Sequence, residues 1–143
     1  MSVFAWNDKF SVNVETMDKQ HKFFLDLLNN LDDQIRLKND DEIVKTAVGK
    51  LFNYAAFHFR DEENILYMCG FPGIKEQRQE HGFFMKQVKE MEESIQNGSR
   101  VQLGSVVSFL KDWFVNHIMS EDKKYAAFLK IRNSSESLSA EAV

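Results

Sequence analysis

Residues 51–73 read Leu51-Phe52-Asn53-Tyr54-Ala55-Ala56-Phe57-His58-Phe59-Arg60-Asp61-Glu62-Glu63-Asn64-Ile65-Leu66-Tyr67-Met68-Cys69-Gly70-Phe71-Pro72-Gly73. Apolar residues return here at three- and four-residue intervals, with Leu51, Ala55, Ile65 and Leu66 on one side of a rod, and the period is that of an α-helix. Gly70-Phe71-Pro72-Gly73 then stops it, because glycine and proline disfavour further helix. Upstream, Val44 and Ala47 continue the same face, so the segment is a helix over about 41–68. On that face sit His58 and, four residues on, Glu62, which a helix points the same way.

Three more segments show the same period. One runs from about 17 to 38 with Phe24, Leu25, Leu28, Leu31 and Ile35 on one face, and is broken by Asn39-Asp40. Asp40 is placed to cap the helix that follows. Another covers about 74–96 through Phe84, Met85, Val88, Met91 and Ile95, and Asn97-Gly98 ends it. The last follows Ser99-x-x-Gln102, a spacing that resembles a capping box, and runs to about Ile131 through Leu103, Val106, Leu110, Trp113, Tyr125 and Leu129. Residues 1–15 alternate Phe4, Trp6, Phe10, Val12 and Val14 with polar residues and have no strand partner, so they are expected to lie over the bundle as an extended arm. Residues 132–143 are small and polar and are expected to be a disordered tail. Short connections between long helices make neighbours antiparallel. The expected fold is therefore all-α, an antiparallel up-down-up-down four-helix bundle with an extended N-terminal arm.

The four histidines, His21, His58, His81 and His117, fall one to a helix. A lone histidine on an apolar face is most often a satisfied core residue. Four change that reading, because the ends of the helices place all of them roughly 6–21 Å from the same end of the bundle, at 1.5 Å per residue. Asp122 follows His117 by five residues, about 500° of helical rotation, which leaves the two side chains roughly 140° apart on a regular helix. Asp122 therefore has to reach sideways if it is to join the histidines. A buried carboxylate is costly unless it is paired or metal-bound. Imidazole suits iron, zinc and copper, while carboxylates bridge hard cations; two divalent ions, two carboxylates and a hydroxide sum to about +1.

The composition restricts the alternatives. The chain has 143 residues, 43% hydrophobic and 28% charged, with 13 Phe to fill a core and a single Pro to interrupt helices. A net charge of −4 argues against nucleic acid, whose phosphates call for a basic surface. No apolar run is long enough to span a membrane. The first residues lack the basic and apolar blocks of a signal peptide, and one cysteine, Cys69, cannot form an internal disulfide, so the expected compartment is the cytoplasm.

The chain resembles the bacterial hemerythrin family in Asp18-x-Gln20-His21, His58-Phe59-x-x-Glu62-Glu63, Gly70-Phe71-Pro72, His81-x-x-Phe84 and Trp113-x-x-x-His117-Ile118-x-x-x-Asp122, and also in Trp6. The match covers about residues 4–128. The resemblance implies a hemerythrin-like bundle over 1–131 that carries two non-haem iron ions, oxo- or hydroxo-bridged, and binds O2 reversibly for storage, delivery or scavenging. It implies that His21 and His58 hold the iron with the open coordination site, that His81 and His117 hold the second iron, and that Glu62 and Asp122 bridge the two. Phe24, Trp113, Phe114 and Met119 are candidates for the O2 pocket, although each is also an ordinary core residue type at helical spacing. Glu63 is expected to face solvent. No catalytic residue is assigned. Bundle enzymes that activate O2 use Glu-x-x-His pairs, and none occurs here. The competing readings are a di-iron enzyme reducing peroxide or nitric oxide, and an oxygen- or iron-sensing module acting with a partner; a reductase is a further candidate partner, and the oligomeric state is open.

One position departs from the family. Its third helix offers a further histidine four residues before His81, where this chain has Gln77. An amide oxygen is a weaker and harder ligand than imidazole. Gln77 could bind through that oxygen, a water could take the place, or Glu76 could swing in; equally, Gln77 could simply hydrogen-bond to a neighbour.

Overall fold

The computed structural model describes residues 5–38, 40–99 and 103–142, with side chains as far as 132. Four rods form the bundle: α1 (Glu15–Arg36), α2 (Asp41–Cys69), α3 (Ile74–Gln96), and a last rod in which α4 (Leu103–His117), a π-helical turn (Ile118–Asp122) and α5 (Lys123–Ala142) follow without a break. α1 packs on α2 and α4, and α3 on α2 and α4, so the chain winds once around a shared core as an up-down-up-down bundle.

Each helix buries one stripe. On α1 it is Met17, His21, Phe24, Leu28 and Leu31; on α3 it is Gln77, His81, Phe84, Val88, Met91 and Ile95; on α4 it is Leu103, Val107, Leu110, Phe114 and His117. Steps of three and four residues keep a side chain on one face, and burying each large apolar group stabilises the fold by about 1.5–3 kcal/mol. The histidines occupy regular positions in these apolar stripes. They are therefore interior because the helices are amphipathic.

The ends of α2 are defined by chemistry legible in the sequence. The Asp40 side chain accepts from the Ile43 N–H at 3.0 Å, the expected cap. At the other end Gly70 adopts φ 71°, the Gly70 N–H donates to the Tyr67 carbonyl and the Phe71 N–H to the Leu66 carbonyl. This pair of bonds is a Schellman turn, and its usual apolar contact is present, since Phe71 and Leu66 share one buried cluster. A Cβ on Gly73 would come within 2.6 Å of the Phe71 ring, so glycine there also lets the ring close the turn.

The arm holds a 3-10 turn, Asp8–Phe10, rather than a fully extended path. Phe10 and Val12 are buried, and Asp18 ties the arm down by accepting from the Ser11 hydroxyl and the Val12 N–H. The backbone of α5 stays helical to Ala142, past the end near Ile131 and through most of the segment expected to be disordered; residues 132–142 contain no Gly or Pro to interrupt it. Asn39, Gln102 of the expected capping box, and Phe4 lie outside the described residues.

Candidate metal centre

Between two apolar clusters, one around Phe24, Phe59, Phe84 and Phe114 and the other around Met17, Leu66, Phe71 and Tyr125, lies a polar layer. His21, His58, Glu62, Gln77, His81, His117 and Asp122 all fall within it and are buried. The four imidazoles expected at one level do meet.

Asp122 reaches the layer through the π turn. A π turn closes i→i+5 bonds, so five residues bring the chain back to the same face, whereas a regular α-helix would have rotated Asp122 away from His117. Asp122 Oδ1 consequently lies 3.1 Å from His117 Nε2, and Oδ2 lies 3.3 Å from His21 Nε2. Glu62 enters from the regular helix α2, one turn after His58. Its Oε1 is 3.1 Å from His81 Nε2, and its Oε2 is 3.3 Å from His21 Nε2 and 3.6 Å from His58 Nε2. His81 and His117 bring their Nε2 atoms to 3.1 Å of each other. His21, His58 and Glu62 thus form one group with metal-ligand spacing, and Glu62, His81 and His117 another.

The outward nitrogens are held from behind. His58 Nδ1 faces Gln20 Oε1 at 2.8 Å, and Gln20 in turn donates to Asp61. His81 Nδ1 faces Glu63 Oε2 at 2.8 Å, and His117 Nδ1 faces Glu80 Oε1 at 2.9 Å. An Nδ1–H donated to such an oxygen leaves the Nε2 lone pair directed inward, the tautomer a metal requires. Tyr125 donates its hydroxyl to Glu62 Oε2 at 2.8 Å.

Several polar atoms of the layer have no hydrogen-bond partner. His21 Nε2 and Nδ1, Glu62 Oε1, Gln77 Oε1 and Asp122 Oδ2 are buried without a hydrogen bond. Each such atom costs about 1–3 kcal/mol. Burial works against a charge on His21, yet Asp122 and Glu62 beside it outweigh burial and raise its pKa to about 9. Burial likewise opposes the His117 cation, and Asp122, Glu62 and Glu80 prevail, again at about 9. His81 is raised against the same burial by Glu62 and Glu63. His58, where burial dominates, drops to about 4. Glu62 and Asp122 are held below the usual carboxylate range despite burial by the imidazoles around them. Inward nitrogens, paired carboxylates and unbonded acceptors are the donors of a divalent metal pair, and two cations would satisfy them together.

The model of the hemerythrin HHE cation binding domain matches residues 12–129. The chain belongs to the hemerythrin family. A bacteriohemerythrin of Methylococcus capsulatus is 29% identical over 130 residues, 90% of this chain and 98% of that protein. A hemerythrin-like protein of Naegleria gruberi is 26% identical over 128 residues, 90% of this chain and 95% of its own length. The solved structure of wild-type hemerythrin superposes with a TM-score of 0.81 at 25% identity, covering 88% of this chain and 97% of that one. A leucine-to-tyrosine variant of hemerythrin gives 0.82 at 26% identity, with 89% and 97% covered. Proteins of the hemerythrin family bind a di-iron centre and O2, and the His/Glu groups of this chain suit such a metal pair.

Within this hemerythrin bundle the four candidate pocket residues do not all lie together. Phe24 meets His58 edge-on at 5.6 Å, Phe114 meets His21 edge-on at 5.7 Å, and the two phenyl rings stack on each other at 4.4 Å, so both wall the His21–His58 pair. Trp113 does not join them: it stacks on His117 at 4.8 Å, on the side of the other pair. Met119 is 41% exposed, because in the π turn Ile118 takes the inward position. Glu63 does not simply face solvent but braces His81. Glu76 is exposed, whereas Gln77 is buried within the polar layer. Gln20, Glu80 and Tyr125 went unassigned by sequence reasoning. Tyr125 was accessible, three residues after Asp122 on one helix face; Gln20 and Glu80 act on histidines of other helices, and no spacing announces that.

Among the described residues no helix is long and apolar enough to cross a membrane.

Proposed function

We propose that this chain is a non-haem di-iron protein that binds dioxygen reversibly and serves to store, deliver or scavenge it. The supporting observation is the donor layer itself, in which two histidine pairs face opposite oxygens of the same two carboxylates. On this reading His21 and His58 would hold one iron and His81 and His117 the other, with Glu62 and Asp122 offering an oxygen to each. A ferrous pair held there would supply the electrons for reversible binding of dioxygen. Gln20, Glu63 and Glu80 keep the Nε2 lone pairs aimed inward. Phe24 and Phe114 exclude water and protons from the His21–His58 side. Among the described residues Glu62 and Asp122 are the fully buried acids, and both are committed to the metals, which favours binding over proton-coupled oxidation. Cys69 is a free thiol, compatible with a reducing cytoplasm, where a reductase would return oxidised iron to the ferrous state.

The test is a spectrum. Anaerobically reduced protein with two irons per chain is expected to gain a charge-transfer band on exposure to O2 and lose it under argon over repeated cycles. Protein isolated without iron, or a band that argon never removes, overturns the reading.

A further inference from the structure

The two halves of the donor layer are matched in ligands and unlike in surroundings. His21, His58, Glu62 Oε2 and Asp122 Oδ2 stand in one half; His81, His117, Glu62 Oε1 and Asp122 Oδ1 stand in the other. Two histidines with carboxylate oxygens are a donor set that leaves places on a divalent ion open to an outside ligand. The set is the same on both sides, so protein donors close neither half.

What borders the two halves differs. Phe24 and Phe114 wall the His21–His58 half with hydrocarbon. The His81–His117 half has Gln77, fully buried one turn before His81 on the same stripe of α3. Gln77 Nε2 donates to Asp122 Oδ1 at 2.9 Å, and a carboxylate only accepts, so the end of the amide that meets the donor set is its N–H. An N–H engaged in this way is not a metal ligand. The other end, Oε1, is buried and has no hydrogen bond. Among the described residues no donor reaches it, so the proton that satisfies it has to come from outside the protein.

We propose that the His81–His117 half receives a small protic ligand of its own, and that Gln77 Oε1 selects it by accepting its hydrogen bond. The class is an uncharged molecule with a lone pair for the metal and an O–H or N–H for the amide; water and hydroxylamine both answer to it. A ligand without protons gains nothing from Oε1. The His21–His58 half, bordered by phenyl rings in place of an amide, makes no such demand. Gln77 thus sorts ligands between two halves whose metal donors are alike. This deepens the di-iron reading and rests on it.

The experiment uses Co(II), which accepts the same donors and changes its visible absorption with each ligand gained. The full chain, loaded with two Co(II) under argon, is titrated with hydroxylamine and, separately, with azide, which carries no proton. The intact chain is expected to bind both to saturation. Gln77→Leu is expected to weaken hydroxylamine about tenfold, the effect of one lost hydrogen bond, and to leave azide unchanged. Gln77→His, whose ring takes the open place, is expected to abolish the hydroxylamine response and keep that of azide; it decides the matter should the leucine variant not fold. Circular dichroism and elemental analysis confirm helix content and cobalt load in each variant. Three results overturn the proposal: an intact chain that takes up no hydroxylamine, equal hydroxylamine affinity in a folded variant, or a parallel loss of azide. An intact chain that holds fewer than two Co(II) overturns the two-metal reading instead, so the two failures are distinct.

Discussion

At the scale of the residue, the informative groups are imidazoles enclosed by carboxylates. His21 and His117 have pKa values of about 9, so at pH 7 each carries a proton when no metal is bound. A metal takes only the neutral ring. Loading at pH 7 must therefore release protons, from His21 and His117 and from the likewise raised His81, and apparent affinity must climb with pH and level off once the rings are neutral. Anaerobic Fe(II) addition to weakly buffered apoprotein with an indicator dye reads this directly; the absence of proton release would show that none of these rings is a ligand. The residues behind the rings make a second prediction. Glu80 is partly exposed and braces His117 through Nδ1, so Glu80→Ala should leave the fold intact while lowering metal affinity about 10–100-fold. Dialysis against graded chelator would measure it.

At the scale of the element, α2 shows how local chemistry sets a helix and the π turn shows how a helix departs from its own period. Asp40→Ala removes the cap bond to Ile43 and should cost about 1 kcal/mol. Gly70→Ala places a Cβ at φ 71° and should cost about 1–2 kcal/mol. The two sites stand at opposite ends of a 29-residue helix, so in the double variant the losses should add in a denaturant titration. A sum far from additive would mean that one change disturbs more than its own helix end. The π turn has a different standing. Its effect is to return Asp122 to the face of His117 while Ile118 stays in the core.

At the scale of the molecule, the bundle supports a charged layer between two apolar clusters. The unbonded atoms in that layer oppose folding, and a bound metal pair offsets this by satisfying the three that face it, His21 Nε2, Glu62 Oε1 and Asp122 Oδ2. A ligand present at about a hundred times its Kd stabilises by about 2.7 kcal/mol, so stripping iron should lower Tm by on the order of 10 °C in a chain of this size. Differential scanning calorimetry of iron-loaded and chelator-treated samples checks this; equal Tm values would show that the ions are not held in the core.

The sequence by itself determined the helices, their apolar stripes and the histidine each rod carries toward one end of the bundle, because three- and four-residue spacing is local geometry that each rod carries alone. It also marked Gly70-Phe71 as a stop and Asp40 as a start. Only the tertiary structure decided which partners meet across helices. The bracing of His58, His81 and His117 by Gln20, Glu63 and Glu80, the outward turn of Met119, and the placing of Trp113 beside the second histidine pair all depend on how each rod is rotated and shifted against its neighbours. That rotation is set by packing summed over the whole interface, which no single stretch of the chain contains. Asp122 combines both causes: five residues after His117 it would be turned away by a regular helix, and the π turn brings it into the core.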